Sequence, residues 1–237
     1  MLPDQVAQPR HKCLKSLFQK PTRAVNILKA TDLSRPHVWR PAPEPSSAKT
    51  ILLLHGSGAD EFDLLPLGKA LDSSANLLSP RGLVKVDGAN RFFLRHDDGT
   101  FDEEAIVRNS AELAEFLWVA AGEYGFDSEN VFVAGFSNGA NAAGALLLLQ
   151  PDSVQGVAAF GTTKSFIKTP FVKSPPDLTG KKVWIANGAT DDYSPADRTA
   201  AMIAEFEALG ASVKYFLHPG GHTIVMDHIQ QIHSDLA

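Results

Sequence analysis

Residues 130–149 read Asn-Val-Phe-Val-Ala-Gly-Phe-Ser-Asn-Gly-Ala-Asn-Ala-Ala-Gly-Ala-Leu-Leu-Leu-Leu, and this stretch decides the fold. Asn130–Ala134 has the length and apolar character of a buried strand, and the alanine- and leucine-rich segment up to Leu149 is typical of a buried helix. Between them, residues 135–139 fit the pattern Gly-x-Ser-x-Gly, which is typical of a sharp turn that lifts a serine hydroxyl clear of a sheet. We therefore expect Ser137 to be a nucleophile. The alternative is an incidental serine in a glycine-rich turn.

Strand and helix signals alternate on both sides of this turn. We predict strands at Thr50–Leu54, Asn76–Ser79, Arg91–Arg95, Val154–Phe160, Lys182–Ala186 and Ser212–Leu217, and helices at Phe62–Leu71, Asp102–Ala121, Pro195–Leu209 and Thr223–Leu236. The proline-rich residues 36–49 indicate a linker or an edge strand. Alternating strands and helices with short connections predict an α/β fold, with a mostly parallel, doubly wound sheet and helices on both faces. We expect a single domain.

A serine hydroxyl is a poor nucleophile unless a base, itself oriented by a third group, takes its proton. In proteins with this turn the chain order is serine, then aspartate or glutamate, then histidine. After Ser137, the first acids at a predicted strand end are Asp191 and Asp192, and spacing alone does not choose between them. Of the histidines that follow, His218 is expected to end the last strand. His222 stands after two glycines in an uncrowded loop, so we predict that it is the base.

His55-Gly56-Ser57-Gly58 follows the first long predicted strand. An oxyanion hole needs backbone N–H groups, one from the residue after the nucleophile and one from a loop of this kind. We assign these donors to Asn138 and Ser57, and we expect His55 to brace the loop. A phosphate-binding loop is the rival interpretation, but the chain lacks the glycine patterns of such loops. No metal-binding pattern is evident, and His228 and His233 are expected at the surface.

The composition, with 44% apolar and 21% charged residues in a chain of 237, is that of an ordinary globular protein. Residues 1–35 carry seven Lys or Arg against two Asp, a charge of +5, so the remainder carries −10 of the total of −5. An acidic body argues against nucleic acid as a partner. The longest apolar runs are too short to cross a bilayer, so we predict no transmembrane segment. The lone cysteine, Cys13, excludes an internal disulfide.

Residues 1–36 are predicted to be a basic extension of unknown role, ahead of a catalytic domain at residues 37–237. Leu14, Leu17 and Phe18 have the spacing of a short apolar helical stripe. A partly helical extension packed on the domain is favoured over an arm that docks on a membrane or a partner. Because no sustained apolar stretch follows the early basic residues, we predict no signal peptide. We expect a cytoplasmic protein, or an organellar one if residues 1–35 act as a targeting segment.

With these segments identified, the chain resembles the phospholipase/carboxylesterase family of α/β hydrolases, in particular its small bacterial-type carboxylesterases. The resemblance covers about residues 37–237 and rests on several separate motifs. They are His37-Val38-Trp39-Arg40-Pro41, residues 53–61 (Leu-Leu-His-Gly-Ser-Gly-Ala-Asp-Glu), Leu78-Ser79-Pro80-Arg81-Gly82, Arg91-Phe92-Phe93 with Phe101-Asp102, residues 135–140 (Gly-Phe-Ser-Asn-Gly-Ala), Gly188-Ala189-Thr190-Asp191 with Pro195, and Gly220-Gly221-His222.

This resemblance implies the α/β-hydrolase fold and a carboxylic ester hydrolase that acts on small-molecule esters of small to medium acyl chain. It implies that no metal or organic cofactor takes part. It also implies Asp191 rather than Asp192, because the family's acid stands four residues before a proline, here Pro195. The oligomeric state stays open, a homodimer included. A thioesterase or lysophospholipase with the same triad, and a ligand-binding protein on a hydrolase scaffold, are the alternative functions.

The sequence of residues 161–176 differs from the one that is usual in the family at this position. A loop at this position could cap the acyl pocket, with Phe166 or Phe171 lining it. The alternative is a surface loop whose two phenylalanines are buried in the core. The departure therefore concerns the choice of substrate and leaves the expected reaction type unchanged.

Overall fold

The computed structural model of the protein describes residues 33–96, 98–167 and 174–236. The predicted extension of residues 1–36 therefore falls outside these ranges, except for its last four residues. The helices found in the described ranges are all too short or too polar to cross a membrane.

Seven strands of the described chain form one sheet, in the order β1-β3-β2-β6-β7-β8-β9. Every neighbouring pair in it is parallel except β1 with β3, so the prediction of a mostly parallel sheet is confirmed. Strands β4 and β5 form a separate antiparallel hairpin. The strands are β1 (His37–Arg40), β2 (Thr50–Leu54), β3 (Asn76–Pro80), β4 (Val84–Val86), β5 (Ala89–Arg91), β6 (Val131–Phe136), β7 (Gly156–Phe160), β8 (Lys182–Gly188) and β9 (Ser212–His218).

Helices cover both faces of the sheet, as expected for strands whose residues are buried throughout. The helices are α1 (Leu65–Leu71), α2 (Glu103–Tyr124), α3 (Asn138–Leu149), α4 (Ala196–Ala208) and α5 (Met226–Leu236). One apolar cluster joins side chains of α2, α3 and α4 to one face, and a second joins α1 and α5 to the other. The predicted single α/β domain with a doubly wound sheet is thereby confirmed for the described residues.

The predicted strand at Arg91–Arg95 is wrong in most of its length. Strand β5 ends at Arg91, and the next residues form bends. The reason is that the Phe92 N–H donates to Oδ1 of Asn138, at 2.7 Å, and the Phe93 carbonyl accepts from its Nδ2, at 3.0 Å. These backbone groups bind one side chain, so they do not join a neighbouring strand. The β4–β5 hairpin was not predicted.

The sheet places the predicted site residues at one edge. Ser57, Ser137, Asp191 and His222 follow β2, β6, β8 and β9 respectively, and all four strands are parallel neighbours or near neighbours in the sheet. Parallel strands end at the same edge, where ligand sites of such sheets lie. We call this edge the carboxyl edge.

Candidate active site

Ser137 stands between β6 and α3 in a backbone conformation that side chains rarely adopt, with φ 54° and ψ −118°. Such a conformation costs about 1–3 kcal/mol and persists only where the surrounding structure enforces it. One restraint is the hydrogen bond of 2.9 Å from the Ser137 N–H to the carbonyl of Phe160 on the neighbouring strand β7. The hydroxyl is thus carried on a sharp turn at the start of a helix, as predicted from the sequence pattern.

The two glycines of the pattern are required by close packing of backbone on backbone. A Cβ atom at Gly139 would overlap the carbonyl oxygen of Leu54, at the end of β2. A Cβ atom at Gly135 would lie 2.5 Å from the carbonyl oxygen of Gly139 itself. The first turn of α3 therefore sits directly on the ends of β2 and β6, which only glycine permits at these positions.

The two residues predicted to supply the oxyanion donors, Ser57 and Asn138, lie in segments that pack on each other at the Ser137 turn. Asn138 is the first residue of α3, so its N–H has no acceptor within the helix. The loop that carries Ser57 lies against the same helical turn, because a Cβ at Gly139 would also lie 2.5 Å from the carbonyl oxygen of His55. Ser57 itself is exposed. The loop and the first turn of α3, which carry the two predicted donors, thus pack on each other.

His55 braces this loop, as expected. Its ring is buried, its Nε2 accepts from the Gly82 N–H at 2.9 Å, and its Nδ1 lies 2.7 Å from the carbonyl oxygen of Gly56. Burial lowers the pKa of His55, so the ring stays neutral, with a proton on Nδ1 and a free lone pair on Nε2 for Gly82. Glu61 connects the same loop to the residue before Gly82, because its carboxylate accepts two hydrogen bonds from Arg81, at 2.5 and 2.7 Å.

The imidazole of His222 and the carboxylate of Asp191 form a hydrogen bond of 2.7 Å between Nδ1 and Oδ2. The side chain of Asp191 is fully buried, and its second oxygen accepts from the Tyr193 N–H at 2.9 Å. Asp192 is exposed. The structure therefore brings Asp191, and not Asp192, to His222, which spacing alone did not decide.

The imidazole lies beside the Ser137 turn. Its ring packs on the ring of Phe136, the residue before Ser137, with 4.7 Å between the centroids. A Cβ atom at Gly161, which follows the residue that accepts from the Ser137 N–H, would lie only 2.7 Å from Cε1 of His222. The imidazole thus packs against Phe136, which precedes the serine, and against Gly161, with Nδ1 occupied by the carboxylate and Nε2 as its remaining nitrogen.

The loops that carry Asp191 and His222 pack on each other. A Cβ atom at Gly188 would overlap the carbonyl oxygens of Gly220 and Gly221. The Thr190 N–H donates to the carbonyl of Gly220, at 3.1 Å. Main-chain contact between the ends of β8 and β9 therefore sets the separation of the acid and the base.

His218 ends β9, as predicted, and its ring spans the loop that carries His222. The Gly220 N–H donates to its Nδ1, at 3.1 Å, and its Nε2 lies 3.3 Å from the carbonyl oxygen of Thr223. These two bonds need a neutral ring with the proton on Nε2. The prediction that His228 lies at the surface is wrong: it is buried, because its ring packs 5.4 Å from that of His218.

Sequence reasoning missed three contributors to this site. They are the ring of Tyr193, 5.0 Å from that of His222, the hydrogen bonds of His218 to the loop of His222, and the side chain of Asn138, which bonds the peptide groups of Phe92 and Phe93. The Gly-x-Ser-x-Gly pattern could have pointed only to the last of these, since it makes residue 138 the neighbour of the nucleophile.

Of the two phenylalanines proposed for the acyl pocket, only Phe166 lies in the described residues. Phe166 is buried to 1% exposure within the apolar cluster on the α2, α3 and α4 face of the sheet. This placement matches the alternative of a core residue. Phe171 lies outside the described residues. Within the described ranges, no group of three or more His, Cys, Asp or Glu side chains has the arrangement of a metal site.

Comparison with known proteins gives the family. The model of the phospholipase/carboxylesterase family matches residues 41–237. The chain is 34% identical over 190 residues to the protein named "Putative hydrolase MhqD" of Bacillus subtilis (strain 168), covering 78% of this chain and 91% of that one.

Solved structures of two carboxylesterases are also similar to this chain. The Bacillus cereus carboxylesterase is 33% identical, with a TM-score of 0.81 over 87% of this chain and 95% of that one. The carboxylesterase from Mesorhizobium loti is 30% identical, with a TM-score of 0.74 over 81% of this chain and 90% of that one. The chain therefore belongs to the phospholipase/carboxylesterase family of α/β hydrolases.

Proposed function

We propose that the protein is a serine hydrolase that cleaves carboxylic esters of small to medium acyl chain through an acyl-enzyme. The observation that carries the proposal is the hydrogen bond from His222 to the buried Asp191, formed beside the strained turn of Ser137. Membership in a family of phospholipases and carboxylesterases supports the ester bond as the target.

In the first half of the reaction, the hydroxyl of Ser137 attacks the ester carbonyl carbon while Nε2 of His222 takes its proton. Asp191 accepts the hydrogen bond from Nδ1 and so keeps the proton of the neutral ring on that nitrogen, which leaves Nε2 free as a base. The same carboxylate stabilises the imidazolium that forms. Its full burial strengthens this effect, since little water screens the charge.

The carbonyl oxygen becomes negatively charged as the tetrahedral intermediate forms. The backbone N–H groups of Ser57 and Asn138 donate hydrogen bonds to it, and the start of α3 adds the positive end of a helix dipole. One such donor contributes about 3 kcal/mol to transition-state stabilisation.

The intermediate collapses when the alcohol leaves with the proton from His222, and the acyl group remains on Ser137. Water then enters, gives its proton to the same imidazole and attacks the acyl-enzyme. The carboxylic acid is released and Ser137 regains its proton. Each proton that His222 accepts is thus returned within one half-reaction.

The test is labelling with a fluorophosphonate together with hydrolysis of 4-nitrophenyl acetate. The Ser137→Ala variant should fold normally, take no label and lose at least ~10⁴-fold in kcat. A matched control is Ser46→Ala, which removes an exposed hydroxyl and should behave as the parent. If Ser137→Ala takes the label and turns over the ester as the parent does, the proposal is refuted.

A further inference from the structure

Arg95 lies in the loop that Asn138 ties to the Ser137 turn. The side chain of Asn138 holds the peptide groups of Phe92 and Phe93, two residues before Arg95. Arg95 also forms an antiparallel bridge with Phe101, which closes the loop. The position of Arg95 is therefore coupled to the residue next to the nucleophile.

The guanidinium group of Arg95 and the imidazole of His222 both contact the ring of Tyr193. Its central carbon lies 5.0 Å from the centroid of the Tyr193 ring, and that ring lies 5.0 Å from the ring of His222. Tyr193 is 56% exposed, so this side of the site is open to solvent. A guanidinium over a ring keeps its N–H donors, because they point outward in its own plane.

The charge of Arg95 is not neutralised by any described residue. Among described residues, no carboxylate lies within 4 Å of its guanidinium, whereas Arg81 is paired with Glu61. Its guanidinium instead contacts aromatic rings: the central carbon lies 5.7 Å from the centroid of the Phe101 ring and 5.0 Å from that of the Tyr193 ring. An arginine of this kind can still bind an anion.

A second arginine, Arg198, joins this loop to the segment of residues 161–167. Arg198 donates to the carbonyls of Gly99 and Lys164, at 2.9 and 2.7 Å. Its pKa is lowered, first by burial and then by the positive charge of Arg95, while Asp197 opposes the effect. Two positive charges thus lie close together at the Phe101 ring, and Arg198 supplies a side-chain hydrogen bond to the loop.

We propose that Arg95 is a specificity-determining residue that binds a carboxylate on the substrate, so that the preferred substrates are hemiesters of short dicarboxylic acids. The inference rests on the proposed ester hydrolysis at Ser137. Guanidinium and carboxylate match in shape, and two parallel N–H···O bonds would fix the acyl chain between Arg95 and the reacting carbonyl. The alternative is an arginine that only packs on the rings of Phe101 and Tyr193.

The test compares two esters with the same leaving group and the same four-carbon acyl chain: 4-nitrophenyl butyrate, which is neutral, and mono-4-nitrophenyl succinate, which is an anion. The readout is the ratio of kcat/KM for the succinate to that for the butyrate. We expect Arg95→Gln to lower this ratio about tenfold, since a charged hydrogen bond is lost. Arg108→Gln, which removes an exposed arginine of α2, should leave it unchanged. An unchanged ratio in Arg95→Gln overturns the proposal.

A binding measurement separates this proposal from the proposed function. Calorimetry with monomethyl succinate on Ser137→Ala, with and without Arg95→Gln, needs no turnover. Binding that weakens about tenfold when Arg95 is replaced supports the anion site even if neither nitrophenyl ester is hydrolysed, an outcome that would refute the hydrolase. Equal binding, or no binding to either protein, overturns the anion site and leaves hydrolysis of neutral esters standing.

Discussion

The nucleophile and its base are held in different ways. Ser137 is fixed by main chain packed on main chain, because Gly135 and Gly139 place the turn directly on neighbouring strand ends. The loop of His222 also rests on main-chain contacts, but the imidazole itself is oriented by side chains, namely the carboxylate of Asp191 and, through the loop, the ring of His218. Substitutions of the glycines under Ser137 should therefore act on the fold, and those of the side chains that orient the imidazole should act on the rate of a folded protein.

The largest effect is expected at Gly139. The variant Gly139→Ala forces a methyl group into the carbonyl of Leu54, and backbone cannot yield as a flexible side chain can. We expect a loss of more than ~3 kcal/mol in the free energy of unfolding, seen as little soluble protein or a much lower Tm. The control is Gly122→Ala in α2, where an added Cβ meets nothing within 4 Å. That variant should be slightly stabilised, by about 0.5–1 kcal/mol. Equal Tm values for the two variants would contradict the account.

Asp191→Asn tests the other side of the comparison. The amide can present an N–H where the carboxylate accepted one, which favours the wrong tautomer of His222. We expect a folded protein whose kcat falls by about 10³–10⁴-fold, measured with 4-nitrophenyl acetate. Asp192→Asn changes the adjacent, exposed carboxylate and should retain nearly full activity. Similar losses in both variants would mean that the choice between these acids is wrong.

A smaller effect is expected at His218, which contacts the loop of His222 and acts as a positioning residue. His218→Phe keeps a ring of similar size but removes the bonds to Gly220 and Thr223. A displaced imidazole should lower kcat about tenfold and change KM much less, because the loss concerns the reacting geometry. The control His233→Phe alters a histidine of α5 whose Nδ1 bonds the carbonyl oxygen of Leu71, so any loss there should appear in Tm and not in kcat. A fall in Tm without the change in kcat would assign His218 to stability alone.

The smallest effect concerns stability on the nucleophile side and depends on pH. Hydrogen bonding to Arg81 lowers the pKa of Glu61, so the folded protein favours the ionised carboxylate. This contribution is present above the pKa of an unfolded-state glutamate, about 4.3, and is lost as the pH falls through the lower folded-state value. Glu61→Gln should therefore lower Tm modestly at pH 7, and the difference from the parent should shrink below about pH 4. A difference that grows in acid would have the wrong sign.

The order of the site residues along the chain could be predicted, but not their tertiary supports. Ser137, Asp191 and His222 each follow a recognisable strand, and parallel strands end at one edge, so strand signals sufficed to group them. The choice of Asp191 needed the family resemblance, because adjacent residues have the same strand context. The support of Asn138 for Phe92 and Phe93 joins residues about 45 positions apart, which no local pattern reveals.

The wrong expectations have a common physical origin. Arg91–Arg95 has the composition of a strand, yet its backbone groups bind the side chain of Asn138. His228 is polar, yet it is buried beside another histidine. For Phe166 the apolar side chain left a pocket wall and the core as open alternatives, and the structure buries it in the core cluster. In each case composition predicts a preference, and the tertiary partner decides the outcome.

The contact between Gly188 and the glycines 220 and 221 has a consequence for protein engineering. Since the main chains of the two loops touch at these glycines, neither loop can be lengthened or exchanged while the other keeps its shape. Loop grafting from a relative should succeed only when both segments are transplanted together, as one recombination unit.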